Sequence, residues 1–242
     1  MANRIKFIAN AYGLSKSGPS VPEPTQKHIP EWYRKADRYY KQPDGEPYRQ
    51  QDGSMMLTWK SCPALFDVLA TGYVFRTPCD VEFYKNDNSK ISVKVSDPKM
   101  QHFCSERPPM PEFMNPLGYY EDHFAWWPDW AVELPKGYSG LYTNPLMRYD
   151  LPFHTPPGIV DNDKVNLSGL VPFFIAKGFE GIIPAGTPYL QLIPFKREDW
   201  QSELIIESDS TIYQKNTDNS KKYRLPDGGV YKNTVWEKRE YI

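Results

Sequence analysis

Few residues in this sequence are suited to acid–base, nucleophilic or metal chemistry, and their spacing matches no common catalytic motif. The four histidines lie far apart, and the three cysteines lack the C-x-x-C spacing of zinc and redox sites. His102 and Cys104 lie two residues apart with His123 further along the chain, so a small metal site is an alternative to structural roles. No H-E-x-x-H, G-x-S-x-G, P-loop or G-x-G-x-x-G motif is present. From these patterns we predict neither a metal site nor a resident cofactor.

A second group of residues that could take part in binding is the aromatic set Trp126, Trp127 and Trp130. Exposed indoles could form a stacking platform for sugars or bases, and they could equally contact another subunit. At strand spacing beside Pro128, the same residues are also typical of a buried core. We treat the three tryptophans as candidate interaction residues, with the core as the alternative.

Composition limits the classes of protein to which the chain can belong. Its 242 residues can bury a sizeable core, and the 15% of aromatic residues indicates an ordered globular protein. The net charge is −1 without a basic block, so sequence-independent binding of nucleic acid has no electrostatic support. No apolar run reaches the roughly 18 residues of a membrane span, and the N-terminus MANRIKFIANAYG lacks the apolar core of a signal peptide. We expect no membrane contact, no secretion by a signal peptide, and reduced thiols.

The elements that would position any site are predicted to be short strands, because 24 prolines are too many for a helical protein. Between residues 137 and 195, β-branched and aromatic runs alternate with Pro, Gly, Asn and Asp, as in strands joined by tight turns. The turns are predicted at residues 158–163 and 184–188. The strands of this region are predicted at Tyr138–Thr143, Val171–Ile175, Gly181–Ile183 and Tyr189–Phe195.

The rest of the chain carries further predicted elements. Strands are predicted at Arg4–Ala9, Tyr73–Arg76, Asp80–Tyr84 and Ile91–Val95, and a Pro/Ser-rich arm spans residues 13–31. Ser61 is predicted to cap one central helix that ends near Gly72. Short helices are predicted at residues 30–35, 196–204 and 235–241, with a polar, turn-rich stretch at 208–233. The predicted organisation is an N-terminal strand and arm (1–60), a β domain (61–200) and a C-terminal extension packed on the core (201–242).

Two resemblances rest on these patterns. The order of GYSGL, GIVDND and IPAGTPYLQLIPF resembles the trimeric dUTPase and dCTP deaminase superfamily over about a quarter of the chain. This resemblance implies a mainly β, β-clip or jelly-roll-like domain that assembles as an oligomer, typically a trimer. The whole chain, with IPEWYRK, CPALFDVLATGYVFRTPCDVEF and KGFEGIIPAGTPYLQLIPFKRE, also resembles proteins encoded by T4-like and marine tailed phages. That second resemblance implies a viral setting and no particular activity.

The dUTPase resemblance assigns roles to individual residues. Asp161 matches the hairpin aspartate that orients the attacking water, and Asp163, Arg148 and Tyr142 become the substrate-binding candidates. The alternative for Asp161 and Asp163 is an Asx-type turn, because Asp and Asn side chains bond their own backbone. The family's P-R-S phosphate motif is absent near Arg148, and no acid lies at the position expected for the dCTP deaminase glutamate, within 169–175.

Two functions follow from this incomplete match. The first is a phage-encoded, non-catalytic dUTPase-like protein in assembly or partner binding, either a virion component or a host-interaction factor. The second is a divergent nucleotide pyrophosphatase or deaminase-like enzyme that uses Asp161 and Asp163 with Mg²⁺ and acts on a deoxynucleotide. The missing phosphate donors favour the first, which implies a homo-oligomer, a virion or host protein partner, and a location in the host cytoplasm or the virion.

Overall fold

The computed structural model describes residues 3–9, 20–51, 53–109, 115–165, 169–204, 210–223 and 231–242. The chain forms two compact units, and each is described by itself. The first comprises residues 1–28, 72–197 and 241, and the second comprises residues 29–71, 198–240 and 242. The predicted boundaries at residues 60 and 200 stay a prediction, and residues 13–19 of the predicted Pro/Ser-rich arm (13–31) lie outside the described residues.

The first unit is built from short strands, as the alternation of apolar runs and turn residues predicts. The strands are β1 (Lys6–Ala9), β2 (Glu23–Pro24), β3 (Tyr73–Arg76), β4 (Val81–Lys85), β5 (Ile91–Val95), β6 (Cys104–Arg107), β7 (Tyr119–Trp126), β8 (Trp130–Glu133), β9 (Tyr138–Thr143), β10 (Phe153–His154), β11 (Gly158–Val160), β12 (Val171–Ala176), β13 (Gly181–Ile183) and β14 (Pro188–Lys196). The mainly β class is therefore confirmed.

Antiparallel pairing organises these strands into four sheets. The largest has the order β11-β9-β14-β3-β2, and a four-stranded sheet has the order β10-β12-β7-β6. A three-stranded sheet, β13-β4-β5, and the pair β1-β8 complete the set. Strand β11 lies at one end of the five-stranded sheet, so it is an edge strand, and the turn at residues 161–163 follows it directly.

Aromatic side chains fill the core of this unit. The rings of Phe83, Phe124 and Phe173 meet with centroid separations of 5.2 to 6.1 Å, mostly edge to face. Strand β4 alternates between buried and exposed positions, which puts Val81 and Phe83 on the core side. This alternation with a period of two residues is the physical reason why the strands can be predicted from the sequence.

The second unit contains the helices, and here several predictions were wrong. The structure has α1 (Glu31–Lys35), α2 (Pro63–Ala70) and α3 (Ser210–Tyr223), and α1 confirms the short helix predicted at residues 30–35. Helix α2 confirms the predicted central helix, but Cys62 occupies the cap position and the predicted cap residue Ser61 lies in a preceding 3₁₀ turn. Helix α3 lies in the stretch that was predicted to be turns, because its sequence STIYQKNTDNSKKY is mostly polar.

Two predicted C-terminal helices are also absent from the described residues. Lys196 ends strand β14 and residues 197–204 form no helix, because the run KREDWQSEL continues from a strand rather than from a helix cap. At the C-terminus a π-helical turn covers Tyr231–Val235, and residues 236–242 form no helix. A pattern of a few charged and aromatic residues is too short to distinguish a helix from an extended segment.

Candidate functional site

The turn at residues 161–163 is held by strands on both sides. Strand β11 pairs with β9, so that Val160 lies opposite Gly140. Strand β9 pairs on its other side with β14, which places Lys196 opposite Tyr138. The residue that follows β14, Arg197, therefore emerges beside the turn, and its backbone N–H donates to Gly137 O at 2.8 Å.

Asp163 is engaged by internal partners on both carboxylate oxygens. Arg197 binds it with both terminal nitrogens, with NH1 at 2.8 Å from Oδ1 and NH2 at 2.5 Å from Oδ2. The backbone N–H of Gly137 also donates to Oδ2, at 2.8 Å. The side chain is only 4% accessible. The Arg197 hydrogen bonds, followed by the Gly137 N–H, hold the pKa of Asp163 far below its ordinary value.

Asp161 has three partners of its own but keeps more contact with solvent. Its Oδ1 accepts a hydrogen bond from Ser139 Oγ at 2.7 Å and lies 3.2 Å from Arg197 NH1. Lys164 Nζ lies 3.3 Å from Oδ2. The Ser139 hydrogen bond and then the Lys164 hydrogen bond lower the pKa of Asp161, so this side chain is a carboxylate at neutral pH. A carboxylate with a lowered pKa is a poor general base.

Asn162, between the two aspartates, anchors the turn to the interior. It is buried, and its Nδ2 donates to Val132 O at 3.4 Å and to Val165 O at 3.5 Å. Its Oδ1 accepts from the Tyr142 hydroxyl at 3.1 Å. Burial raises the pKa of Tyr142, against the smaller effect of the Asn162 bond, so its phenol stays protonated and donates. Tyr142, predicted to bind substrate, therefore directs its hydroxyl to this asparagine.

Arg148, the predicted phosphate donor, is part of a different ion pair. Its Nε donates to Oδ1 of Asp150 and its NH2 donates to Oδ2, each at 2.8 Å. Among the described residues, no hydrogen bond or ion pair joins Arg148 to Asp161 or Asp163. The structure thus brings Asp161, Asp163 and Tyr142 together around Asn162, and it gives Arg148 a separate carboxylate.

The three tryptophans have three different environments. Trp126 is 0% exposed and stacks on Phe173 with ring centroids 3.8 Å apart, so it is a core residue and cannot act as a surface platform within this unit. Trp127 is 44% exposed, and its ring meets that of His102 edge on. Trp130 is partly buried and lines a pocket. Trp126 is the last residue of β7, whereas Trp127 follows the strand, so the two adjacent tryptophans have different environments.

An apolar pocket lies beside the edge strand β11 and on the same sheet as the aspartate turn. Its volume is about 240 Å³, and its walls are aliphatic, aromatic and proline side chains with glycine backbone. Ile159 of β11 is 64% exposed at its rim. Five residues that define the pocket are Trp130, Val132, Tyr142, Ile159 and Leu170.

Sequence reasoning missed Arg197 and a His–Asp pair in which only the aspartate is buried. Arg197 lies two residues beyond the predicted strand Tyr189–Phe195, and the neighbouring strand β9 begins directly after Gly137. The strand register was therefore a signal that could have found it. His102 Nε2 lies 3.0 Å from Asp129 Oδ1, and Asp129 is 3% exposed. Burial raises the pKa of Asp129, against the smaller effect of His102. These two residues are 27 positions apart, and no spacing rule connects them.

The donor set around the turn does not fit Mg²⁺. Mg²⁺ prefers octahedral oxygen ligands, but the oxygens of Asp163 accept hydrogen bonds from Arg197 and Gly137, and those of Asp161 accept from Ser139 and Lys164. Arg197 adds a positive charge at the same place. Over the described ranges, no group of three or more His, Cys, Asp or Glu side chains is arranged to hold a metal ion.

Comparison with known proteins finds no family model that matches the chain and no match among curated proteins. Within the described part of the chain, no helix is long and apolar enough to cross a membrane.

Proposed function

We propose that this is a phage-encoded, non-catalytic protein with a dUTPase-like β-clip domain that acts in assembly or partner binding, as a virion component or a host-interaction factor. The observation that carries the proposal is the state of the Asp161–Asp163 turn. Both carboxylates accept hydrogen bonds from the protein itself, and Asn162 is buried beneath them. A turn built in this way stabilises the sheet, which is a structural role rather than the activation of water.

The dUTPase-like part of the proposal is supported by strand connectivity. The G-I-V-D-N-D segment continues from β11, which pairs with β9, and IPAGTPYLQLIPF supplies β14 on the other side of β9. The order of these segments along the chain agrees with the resemblance. Among the described residues, however, the turn does not close a hairpin, because the next strand, β12, pairs with β10 and β7 in the four-stranded sheet. The phage setting, and with it a location in the host cytoplasm or the virion, is supported by the sequence resemblance.

Partner binding is supported by the apolar edge of the five-stranded sheet. Strand β11 is an edge strand, and exposed edges are sites where another chain can add a strand. Ile159 and Val160 are both exposed there, beside the apolar pocket. The form of partner binding that we propose is a homo-oligomer, with a trimer as the form typical of the fold, through this edge.

We expect Ile159→Lys to dissociate the oligomer. Burial of an isoleucine side chain contributes about 1.5–3 kcal/mol, so its loss weakens association by roughly 10- to 100-fold. Sedimentation or light scattering after gel filtration, over a range of concentrations, measures the change. The matched control is Ile182→Lys, because Ile182 is 56% exposed on β13, another edge strand, and does not line the pocket. A monomeric wild type, or equal effects of both substitutions, contradicts assembly through β11.

We expect no nucleotide to stabilise the protein. A ligand that binds only the native state raises Tm by mass action, so a thermal-shift panel of dUTP, dCTP and dUMP with Mg²⁺ tests the enzyme alternative directly. The expected result is a flat panel for the wild type and for Asp161→Asn. A rise in Tm with one nucleotide, lost in Asp161→Asn, would overturn the non-catalytic proposal and favour the nucleotide hydrolase.

A further inference from the structure

A second cavity, inside the unit formed by residues 29–71 and 198–240, has a different character from the apolar pocket beside β11. Its volume is about 210 Å³. Tyr33 and Phe66 form aromatic walls together with Trp236, and Lys60 and Lys232 supply ammonium groups. Among the residues that the structure describes, no aspartate or glutamate lines it. The cavity therefore combines flat apolar walls with positive charge.

The aromatic walls are held in place by direct contacts. The ring of Phe66 lies 6.3 Å from those of both Tyr33 and Trp236, measured between centroids. The indole N–H of Trp236 donates to Asp67 Oδ2 at 2.9 Å, which fixes the ring and directs that carboxylate to the indole. Three rings in a row form a surface that is preorganised to receive another flat ring.

The positive charge is not neutralised by carboxylates in the described part of the chain. Lys60 Nζ donates to two backbone carbonyl oxygens, those of Tyr33 and Arg34, and lies 4.4 Å from the Tyr33 ring centroid. An ammonium group has three donors, so one N–H of Lys60 remains for an acceptor. Lys232 is half-buried and, among the described residues, has no carboxylate within ion-pair distance.

We propose that this cavity is a binding site for a small aromatic anion, a single flat ring that carries a carboxylate or a phosphate. The ring packs against the row of Tyr33, Phe66 and Trp236, and the anionic group accepts hydrogen bonds from Lys60 and Lys232. Charge-assisted hydrogen bonds of this kind are roughly twice as strong as neutral ones. The site lies in the other unit from the aspartate turn, so the proposal does not depend on the proposed function.

Cys62 offers a direct readout of occupancy. It lines the cavity and is exposed, whereas Cys79 and Cys104 are buried in the first unit. Burial raises the pKa of both buried thiols, which suppresses their thiolate forms and slows their alkylation. In the native protein, iodoacetamide is therefore expected to react first with Cys62, and peptide mass spectrometry confirms the site.

The experiment measures the Cys62 alkylation rate while phenyl phosphate or benzoate is titrated. We expect a saturable decrease in rate with at least one of the two, because the bound ring covers the thiol. Inorganic phosphate and benzyl alcohol, which carry only the charge or only the ring, are expected to give little protection. Phenyl phosphate and benzoate together show whether a phosphate or a carboxylate is preferred.

Lys232→Gln is expected to raise the concentration for half-protection by about tenfold, and Lys232→Arg to restore it. The matched control is Lys94→Gln, which removes the same charge from an exposed position on β5 in the first unit. Three results would each overturn the proposal: no protection by either ring at millimolar concentration, equal protection by inorganic phosphate, or equal half-protection concentrations in Lys232→Gln and Lys94→Gln. Unchanged alkylation without ligand verifies that the variants keep the fold around Cys62.

Discussion

Trp126→Ala is expected to lower the free energy of unfolding by about 3–5 kcal/mol, the usual cost of removing a large aromatic side chain from a core. The side chain is 0% exposed and stacks face to face on Phe173, with an interplanar angle of 5°. Phe103, Phe153 and Tyr189 contact the same indole from other directions. Removal of the indole leaves a cavity among these rings. No neighbouring side chain can fill that cavity without displacing several rings, so most of it remains in the variant.

Urea denaturation of Trp126→Ala and Trp127→Ala compares the loss in free energy of unfolding at a buried and a partly exposed tryptophan. Trp127 is 44% exposed, so its substitution is expected to lower the free energy of unfolding by much less than Trp126→Ala does. Trp126→Phe is expected to cost much less than Trp126→Ala, because it keeps a ring on Phe173. It also removes a buried indole N–H that has no hydrogen-bond partner among the described residues. Similar small losses in Trp126→Ala and Trp127→Ala would contradict the core position of Trp126.

The pair Trp126 and Trp127 also shows what the sequence could reveal. The sequence predicts strands here, because β-branched and aromatic residues fall between turn residues, and β7 and β8 confirm it. The direction of each side chain depends on register, and a shift of one residue exchanges the faces. Without the partner strands β12 and β6, the sequence alone could not decide which tryptophan is inside.

The aspartate turn likewise shows which features of the site could be predicted from the sequence. The segment at residues 158–163 was predicted as a turn from its Gly, Asp and Asn residues. The structure confirms a turn only in the second half, because residues 158–160 form strand β11. The role of each aspartate depends on Arg197, which directly follows β14 and was predicted in a helix. Pairing with Arg197 favours a structural role for Asp163, and this pairing is a tertiary contact between residues 34 positions apart. The local sequence predicts the turn, but it does not predict the arginine that pairs with the aspartates of the turn.

Helix α3 and the cavity lined by Cys62, Lys60 and Lys232 could not be predicted from the sequence either. The 14 residues of α3 lack the apolar stripe by which helices are recognised. The cavity joins residues near position 60 with Lys232 and Trp236. Such a site depends on long-range packing, and no motif spacing encodes it.

Gly140→Ala is expected to destabilise the protein by about 1–3 kcal/mol through overpacking. Gly140 lies on β9 opposite Val160, where a Cβ atom would stand 2.5 Å from Leu192 Cδ1 and 2.8 Å from Asn162 Oδ1. Real Cβ contacts are longer, so one of these groups must move. Leu192 is 0% exposed and Asn162 is 1% exposed, and Asn162 also holds Val132 and Tyr142 by hydrogen bonds. Neither side chain can yield without loss elsewhere.

Gly158→Ala is the matched control for this prediction. Gly158 lies on the neighbouring strand opposite Tyr142, and a Cβ atom there meets nothing within 4 Å. A glycine-to-alanine change at a position without strain is neutral, or stabilises by about 0.4–1 kcal/mol by restricting the unfolded chain. Denaturant midpoints of the two variants therefore separate the close approach at Gly140 from any general effect of adding a methyl group to this sheet.

The outcome for Gly140 bears on the proposed function, because the same close approach seats Asn162 beneath the two aspartates. If Gly140→Ala is costly and Gly158→Ala is not, then the turn is part of the packed interior, and its aspartates belong to a rigid structural element. If Gly140→Ala is tolerated as well as Gly158→Ala, then Asn162 can leave its site without penalty. The turn would then be adaptable, and Asp161 and Asp163 could exchange Arg197 for an external ligand.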